Sequence, residues 1–207
     1  MSENRAFVDA IFRAWSAFYD NPVQQKLYFG AIQRRVLDHL GERPGRVLDL
    51  GCGTGELLTK LREGTGLGLD LSRDMLLQGA KKPGLGGKLV VGDGHHLPFE
   101  DGGLDAITCL VSFQYYLRPE VALSDMRRVL KPDGALYLAA LTALPFEIEA
   151  LESLVRERTG GLFRVYAPSS LKRMLHDAGF EDVHYRLVRP LTRLYVARPG
   201  ASAVRSA

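Results

Sequence analysis

Cysteine is almost missing from this chain: Cys52 and Cys109 are the only two among 207 residues. That excludes a disulfide-stapled scaffold and a four-cysteine zinc site. One stands in a glycine loop and the other in an apolar run, which suits two reduced, small side chains better than a bridge or a metal pair. No apolar stretch reaches the roughly 20 residues that span a bilayer. No segment has the charged, apolar and small-residue succession of a secretory leader either, so the expected location is the cytoplasm. Neither sign of charge dominates, with 27 Lys and Arg against 24 Asp and Glu and a net charge of +3. Internal repeats are absent, which excludes solenoids and propellers. What is there is a length close to one domain and 46% hydrophobic residues, enough for a full core without staples.

The most informative run is VLDLGCGTGEL, Val47 to Leu57. Val47, Leu48 and Leu50 have the apolar, strand-prone character of a buried parallel strand. The chain then breaks into Gly51, Gly53 and Gly55, whose missing Cβ atoms let a ligand lie against the backbone. Glu56, Leu57, Leu58 and Leu61 predict a helix over 53–62, whose first N–H groups would favour an anionic group. These glycines do not follow G-x-G-x-x-G: the third comes one residue early, and Glu56 stands where a small residue would allow close helix–strand packing. A phosphate loop fits worse, because Gly55 is followed by Glu56 and Leu57 rather than by Lys and a hydroxyl. Asp49, two residues before the first glycine, is an awkward neighbour for a pyrophosphate and a good one for an ammonium or a sulfonium.

From about Arg46 to Leu141, and more weakly to Val196, the chain resembles the class I S-adenosylmethionine-dependent methyltransferases. Asp49 to Gly55 (DLGCGTG) is similar to that family's first motif, whose loop backbone, here Gly51, Cys52, Gly53 and Gly55, holds the methionine part of the cofactor beside an acid. GLGLDLS, Gly66 to Ser72, resembles the second strand and its terminal acid, so the resemblance assigns Asp70, with Leu71 beside it, to the ribose hydroxyls. VVGDGHHLPF, Val90 to Phe99, resembles the third, which implies Asp93 at the adenine amino group and the backbone near Gly94 and His95 at the ring nitrogens. LDAITCLVSFQYY and MRRVLKPDGALYLAAL resemble the fourth strand, a helix and the fifth strand, entered through the Lys131–Gly134 turn. Four motifs in order are far more specific than one glycine loop.

The residue types support the same assignments. Asp70 stands nineteen residues beyond Gly51, near the roughly 20-residue offset at which a strand-end acid meets a ribose. The alternative, Asp70 as a helix cap, is weakened by Ser72, the better cap. Asp93 reads otherwise as a turn residue between Gly92 and Gly94. For Asp49, cofactor contact and a strand-end capping role both stay open.

Strands are predicted near 46–50, 66–70, 88–92, 104–110 and 134–141, and helices near 53–62, 72–80 and 119–131, the alternation of an α/β fold with helices on both faces of a doubly wound parallel sheet. PSSLKRMLHDAGF predicts a helix capped by Ser169 or Ser170 and ended at Gly179, followed by a hairpin of DVHYRLV and TRLYVAR. The resemblance implies a seven-stranded Rossmann-like sheet in the order 3-2-1-4-5-7-6, the last strand antiparallel. A single domain over 1–199 follows, with an N-terminal helical lid at 1–41, a cofactor-binding core at 42–141, a lid insertion at 142–167, a C-terminal helix and hairpin at 168–199, and a disordered tail at 200–207. Amphipathic helices are expected from Arg5 to Leu40, with Phe7, Ile11, Phe12, Trp15 and Phe18 near one face and a break at Asn21-Pro22, and from Pro145 to Thr159 with Phe146, Ile148, Leu151, Leu154 and Val155. Both segments either cover sheet faces or act as a lid.

Tyr19, Tyr28, Tyr115, Tyr116 and Phe146 are the candidate acceptor-pocket residues. In-line methyl transfer from a sulfonium needs alignment and exclusion of water, not a nucleophilic residue. A base is needed only when the acceptor must shed a proton, and His95, His96 and Tyr115 are the candidates. No metal site is expected, since adjacent histidines diverge. Ser112 to Tyr116 replace the Asn/Asp-Pro-Pro-Tyr/Phe signature of relatives acting on amides or nucleobases; Gln114 is a candidate hydrogen-bond partner for an acceptor and Tyr115 a stacking surface. The overall similarity points to the small-molecule branch related to quinone and menaquinone biosynthesis enzymes. The expected cofactor is therefore S-adenosyl-L-methionine, with S-adenosyl-L-homocysteine as product, and the expected partner a small-molecule acceptor, in a monomer or homodimer. Three alternatives stand beside this: a non-catalytic cofactor-binding protein, a methyltransferase acting on RNA or protein, and a nicotinamide-dependent oxidoreductase. From Gly161 onward eight Lys and Arg face three acids, but they spread over a helix, a hairpin and a tail, which fits a solvated face better than a nucleic-acid site.

Overall fold

A computed structural model of the chain describes residues 28–42, 44–142 and 149–200. Seven strands, β1 (Val47–Leu50), β2 (Gly66–Asp70), β3 (Leu89–Val91), β4 (Leu104–Leu110), β5 (Leu130–Leu141), β6 (Phe180–Arg189) and β7 (Thr192–Pro199), form one sheet in the order β3-β2-β1-β4-β5-β7-β6. β1 pairs in parallel with β2 and β4, β2 with β3, and β4 with β5. β7 runs antiparallel between β5 and β6. The order and the reversed last strand are those expected from the sequence. Around the sheet lie α1 (Gly30–Leu40), α2 (Arg73–Gly79), α3 (Pro119–Val129), α4 (Glu149–Arg158) and α5 (Pro168–Asp177).

Alternation along the strands divides the core in two. Val47, Ala106, Ala135, Tyr137, Ala139 and Leu194 face α1, against Ile32 and Val36. Their neighbours Leu48, Leu50, Ile107, Cys109, Leu136, Leu138 and Tyr195 face the other way, against Leu123 and Met126 of α3 and Leu171 and Leu175 of α5. Side chains on a strand point to opposite faces in turn, so a strand buried on both sides must be apolar nearly throughout; β1 is buried at every position. Each such aliphatic side chain contributes about 1.5–3 kcal/mol by leaving water. Because β1 has β2 on one side and β4 on the other, successive crossovers leave it in opposite directions and a crevice opens at the carboxyl ends of these strands.

Several expectations are corrected. No α-helix follows the glycine loop: 53–62 is a series of turns with a single 3-10 turn at Leu58–Lys60. Gly53 at φ +56° and Gly55 at φ +72° stand inside the expected run, in a left-handed conformation that a right-handed helix cannot include. The anion-favouring helix terminus expected there is therefore absent. Ser72 does cap α2, accepting from Met75 N at 3.4 Å. Neither Ser169 nor Ser170 caps α5, which starts after Ala167 with Pro168 in its first turn, where a fixed φ and a missing N–H cost nothing. Lys131–Gly134 forms an irregularity inside β5, where the register to β4 shifts between Leu104 and Ala106. Gly200, assigned to the tail, is buried and donates to Gly179 O at 2.9 Å. Phe7, Ile11, Phe12, Trp15, Phe18 and the Asn21-Pro22 break lie outside the described residues, as do Phe146 and Ile148. Among the described residues no helix is long and apolar enough to cross a membrane.

Gly79 ends α2 against the glycine loop, where a Cβ would stand 2.8 Å from Thr54 O. Alanine favours a helix over glycine by about 1 kcal/mol, but overpacking against backbone costs about 1–3 kcal/mol. Gly79→Ala is expected to lower stability in urea unfolding by about 1 kcal/mol. A more stable variant would refute this close approach.

Candidate functional site

A cavity of about 410 Å³ opens at the carboxyl ends of the central strands. One end is built by the glycine loop and the turns after β2 and β3: Gly51, Gly53, Asp70, Leu71, Ser72, Asp93, Gly94 and His95 all line it. Asp70 organises this end. Its two oxygens accept from Gly53 N and Ser72 N, each at 2.8 Å, so one carboxylate ties the glycine loop to the start of α2. Gly51 N and Cys52 N donate to Leu69 O at 2.7 and 3.2 Å, continuing the attachment to β2. Gly51 holds φ +69°, and a Cβ on it would fall 2.5 Å from Ser112 Oγ; a side chain is excluded here both by conformation and by space. Of the residues assigned to the cofactor from sequence, Asp49 on β1 and Cys52 and Gly55 in the glycine loop do not line the cavity.

Asp93 is held by its neighbour. Its Oδ1 accepts from His95 N at 3.0 Å and from His95 Nδ1 at 2.6 Å. The His95 Nε2 in turn accepts from Arg118 N at 3.3 Å, which fixes the tautomer with the proton on Nδ1. Both ring nitrogens of this base candidate are thus engaged, and the ring packs on Tyr116 with centroids 5.3 Å apart. His96 is exposed and does not line the cavity. Burial raises the Tyr115 phenol above its ordinary range, while a hydrogen bond with the Gln114 side chain lowers it. Burial lifts the Tyr116 phenol well above its usual value, with neighbouring Cys109 adding to the rise. Both stay protonated at neutral pH.

The other end of the cavity is apolar and aromatic. Tyr28, Phe29, Leu110, Val111, Gln114, Tyr115, Leu141 and Phe163 line it. Tyr115 meets Phe163 edge-on, with centroids 5.5 Å apart, and Tyr28 meets Phe29 in the same way at 5.1 Å. Of the acceptor-pocket candidates, Tyr28 and Tyr115 line this end and Tyr116 lines the cavity beside His95; Tyr19 and Phe146 lie outside the described residues. Phe29, Leu141 and Phe163 went unrecognised, and no motif marks them. Val111 is a β-branched residue at φ +58°, a strained conformation of the kind that clusters at functional sites. Two bonds hold it there: its N–H donates to Ala139 O at 2.8 Å, and its carbonyl accepts from Gln114 Nε2 at 2.7 Å. Neither bond was expected from sequence, where Gln114 stood only as a candidate partner for an acceptor.

Against known proteins, residues 48–138 match a family described as a methyltransferase domain. A demethylmenaquinone methyltransferase of Beutenbergia cavernae is 30% identical over 207 aligned positions that cover 84% of this chain and 82% of that protein. The chain belongs to the class I S-adenosylmethionine-dependent methyltransferases. A malonyl-[acyl-carrier protein] O-methyltransferase of Methylococcus capsulatus is 35% identical over 138 positions, covering 64% of this chain. The methyltransferase spans about half the length of two of its curated relatives, 46% of one and 50% of the other. In fold it is similar to the solved structure of an S-adenosylmethionine-dependent methyltransferase of Thermotoga maritima, with a TM-score of 0.70 at 19% identity, over 91% of this chain and 98% of that one.

Beneath the glycine-loop end of the cavity lies a buried acid. Asp49 on β1 faces Thr108 on β4 in register, and the Thr108 hydroxyl donates to Asp49 Oδ1 at 2.7 Å. Burial pushes this carboxyl up to about 7, against the pull of the Thr108 hydroxyl and with the Asp70 charge adding to the rise. Both thiols are raised as well, Cys52 well above its ordinary range and Cys109 to about 12, chiefly by burial, which leaves them unreactive near neutrality.

An unfolded aspartate titrates near 4, so between about pH 4 and pH 7 the folded methyltransferase keeps a proton that the unfolded chain has lost. The stabilisation this group confers is complete below about pH 4 and is lost as pH rises through about 7. In that window Asp49 is expected to lower folding stability by about 1.4 kcal/mol per pH unit. Asp49→Asn keeps an acceptor for Thr108 and should remove that share of the slope. Urea unfolding of both proteins at pH 5, 6 and 7 reads the difference, and parallel slopes would refute the assignment.

Proposed function

We propose that this methyltransferase passes the methyl group of S-adenosylmethionine directly, in line, to a small neutral molecule seated at the aromatic end of the cavity. The observation that carries the reading is the division of one continuous cavity. Asp70, Asp93 and the glycines of the loop gather at one end, and aromatic and aliphatic walls at the other. The residues fit the cofactor. Asp70 lines this end of the cavity, and a carboxylate's oxygens can each accept more than one hydrogen bond, as two ribose hydroxyls require. Asp93, oriented by His95, receives the adenine amino group beside Gly94 and His95, and the Gly51–Gly55 backbone receives the amino acid part. S-adenosylmethionine supplies a methyl carbon made electrophilic by the sulfonium.

The protein's contribution is alignment in a water-poor space. The acceptor's lone pair forms the new bond to carbon as the S–C pair returns to sulfur, and the acceptor's proton passes to solvent. No side chain is asked to take that proton: His95 has both nitrogens engaged, and burial holds the Tyr115 and Tyr116 phenols protonated. No Lys or Arg lines the cavity among the described residues, so an acidic acceptor would find no countercharge there.

Calorimetry should give binding of S-adenosylhomocysteine and none of NAD. Asp70→Ala, which removes charge-assisted bonds each worth about 1.5–3 kcal/mol, should weaken the former at least about tenfold. A screen with labelled methyl donor over phenols, quinones, amines and carboxylic acids should label neutral ring compounds. Failure to bind S-adenosylhomocysteine, or transfer to carboxylic acids alone, would overturn the reading.

A further inference from the structure

Gln114 is 2% exposed and lines the cavity. Its amide nitrogen donates to Val111 O at 2.7 Å, and since a carbonyl can only accept, that contact decides which end of the amide is which. The amide oxygen Oε1 is buried and without a partner. Buried side-chain acceptors in folded proteins nearly always have a donor. This one sits in a turn that is itself strained, with Val111 at φ +58° held by the same amide.

We propose that Gln114 is the acceptor-recognising residue of this methyltransferase, its Oε1 receiving a hydrogen bond from a hydroxyl group on a neutral, ring-bearing acceptor. The inference rests on the proposed function above and adds the polarity that the acceptor must present. A hydroxyl fits better than an amine, because a protonated amine calls for a carboxylate and none lines the aromatic end among the described residues. A ring fits because the two edge-on pairs, Tyr115 with Phe163 and Tyr28 with Phe29, supply flat apolar walls. Gln114 thereby acts twice: its amide nitrogen sets the shape of the turn after β4, and its oxygen reads the molecule placed against it. A site built around such an acceptor rejects an analogue lacking the donor, since the polar atom is then left unpaired.

The test uses the full chain and two probes of similar size, 2-naphthol and 2-fluoronaphthalene, titrated calorimetrically with and without saturating S-adenosylhomocysteine. Removing Gln114 also removes the clamp on Val111, so the variants are Val111→Gly, in which the left-handed turn needs no clamp, and the double variant Val111→Gly with Gln114→Met. Wild type and Val111→Gly are expected to prefer 2-naphthol by at least about tenfold, and the double variant to bind both probes within about threefold of each other. No preference in the wild type, or a preference that survives in the double variant, overturns the proposal. Failure of S-adenosylhomocysteine to bind would overturn the cofactor reading instead, and the naphthol preference is still read on the protein without it.

Discussion

The carboxylate of Asp70 is the constraint on which this molecule depends. Left alone, a Gly-Cys-Gly-Thr-Gly run has too much conformational freedom to hold a cradle. Two short bonds, from Gly53 N and Ser72 N to one carboxylate, join the glycine loop, the end of β2 and the first turn of α2 into one rigid corner. Charge-assisted bonds of this kind are stronger than neutral ones, and the acid remains at the rim of the cavity rather than being consumed by the fold. The residue that shapes this corner therefore also lines the cavity.

Behind that corner the sheet sets a second condition. Asp49 and Thr108 face each other across β1 and β4 on the α1 side, among residues that are otherwise apolar. A hydroxyl partner offsets part of the cost of burying a carboxyl but cannot hold it fully ionised, so the acid sits close to a proton at neutral pH. The Asp70 charge adds to this rise in pKa, and Asp70 with Asp93 at the cavity makes the glycine-loop end receptive to positive charge. Among the described residues the opposite end has no comparable charge. Its marked polar feature is Gln114, whose amide steadies a left-handed Val111. Strain and an unpartnered acceptor occur together at the place where β4, the turn after it and Phe163 converge on the cavity.

Particular residues show why some features were legible and others not. The strands were legible because β1, β4 and β5 are buried on both faces, and such burial demands unbroken apolar runs that stand out in sequence. Asp70 and Asp93 were legible because a carboxylate at the end of an apolar run breaks the pattern that burial imposes, and each does so beside a turn. The helix expected after the glycine loop fails because Gly53 and Gly55 take left-handed backbone angles inside the run, a choice that glycine permits and that residue spacing does not announce. The serines at 169 and 170 looked like caps by residue type, whereas Pro168 already supplied a preorganised first turn. His95 looked like a free imidazole, and only the fold brings Arg118 N to its second nitrogen.

By itself the sequence determined the class of fold, the strand order through its resemblance, and the acids at the cofactor end, because each rests on local pattern: periodicity within one strand, or a few residues at one turn. Only tertiary structure decided which of those residues reach the cavity, that Asp49 is sealed beneath it, and that Phe163, Leu141 and Phe29 join Tyr115 from distant parts of the chain. A wall made of four separate segments has no short-range signature. Van der Waals contact depends on where backbones come to rest and not on spacing along them.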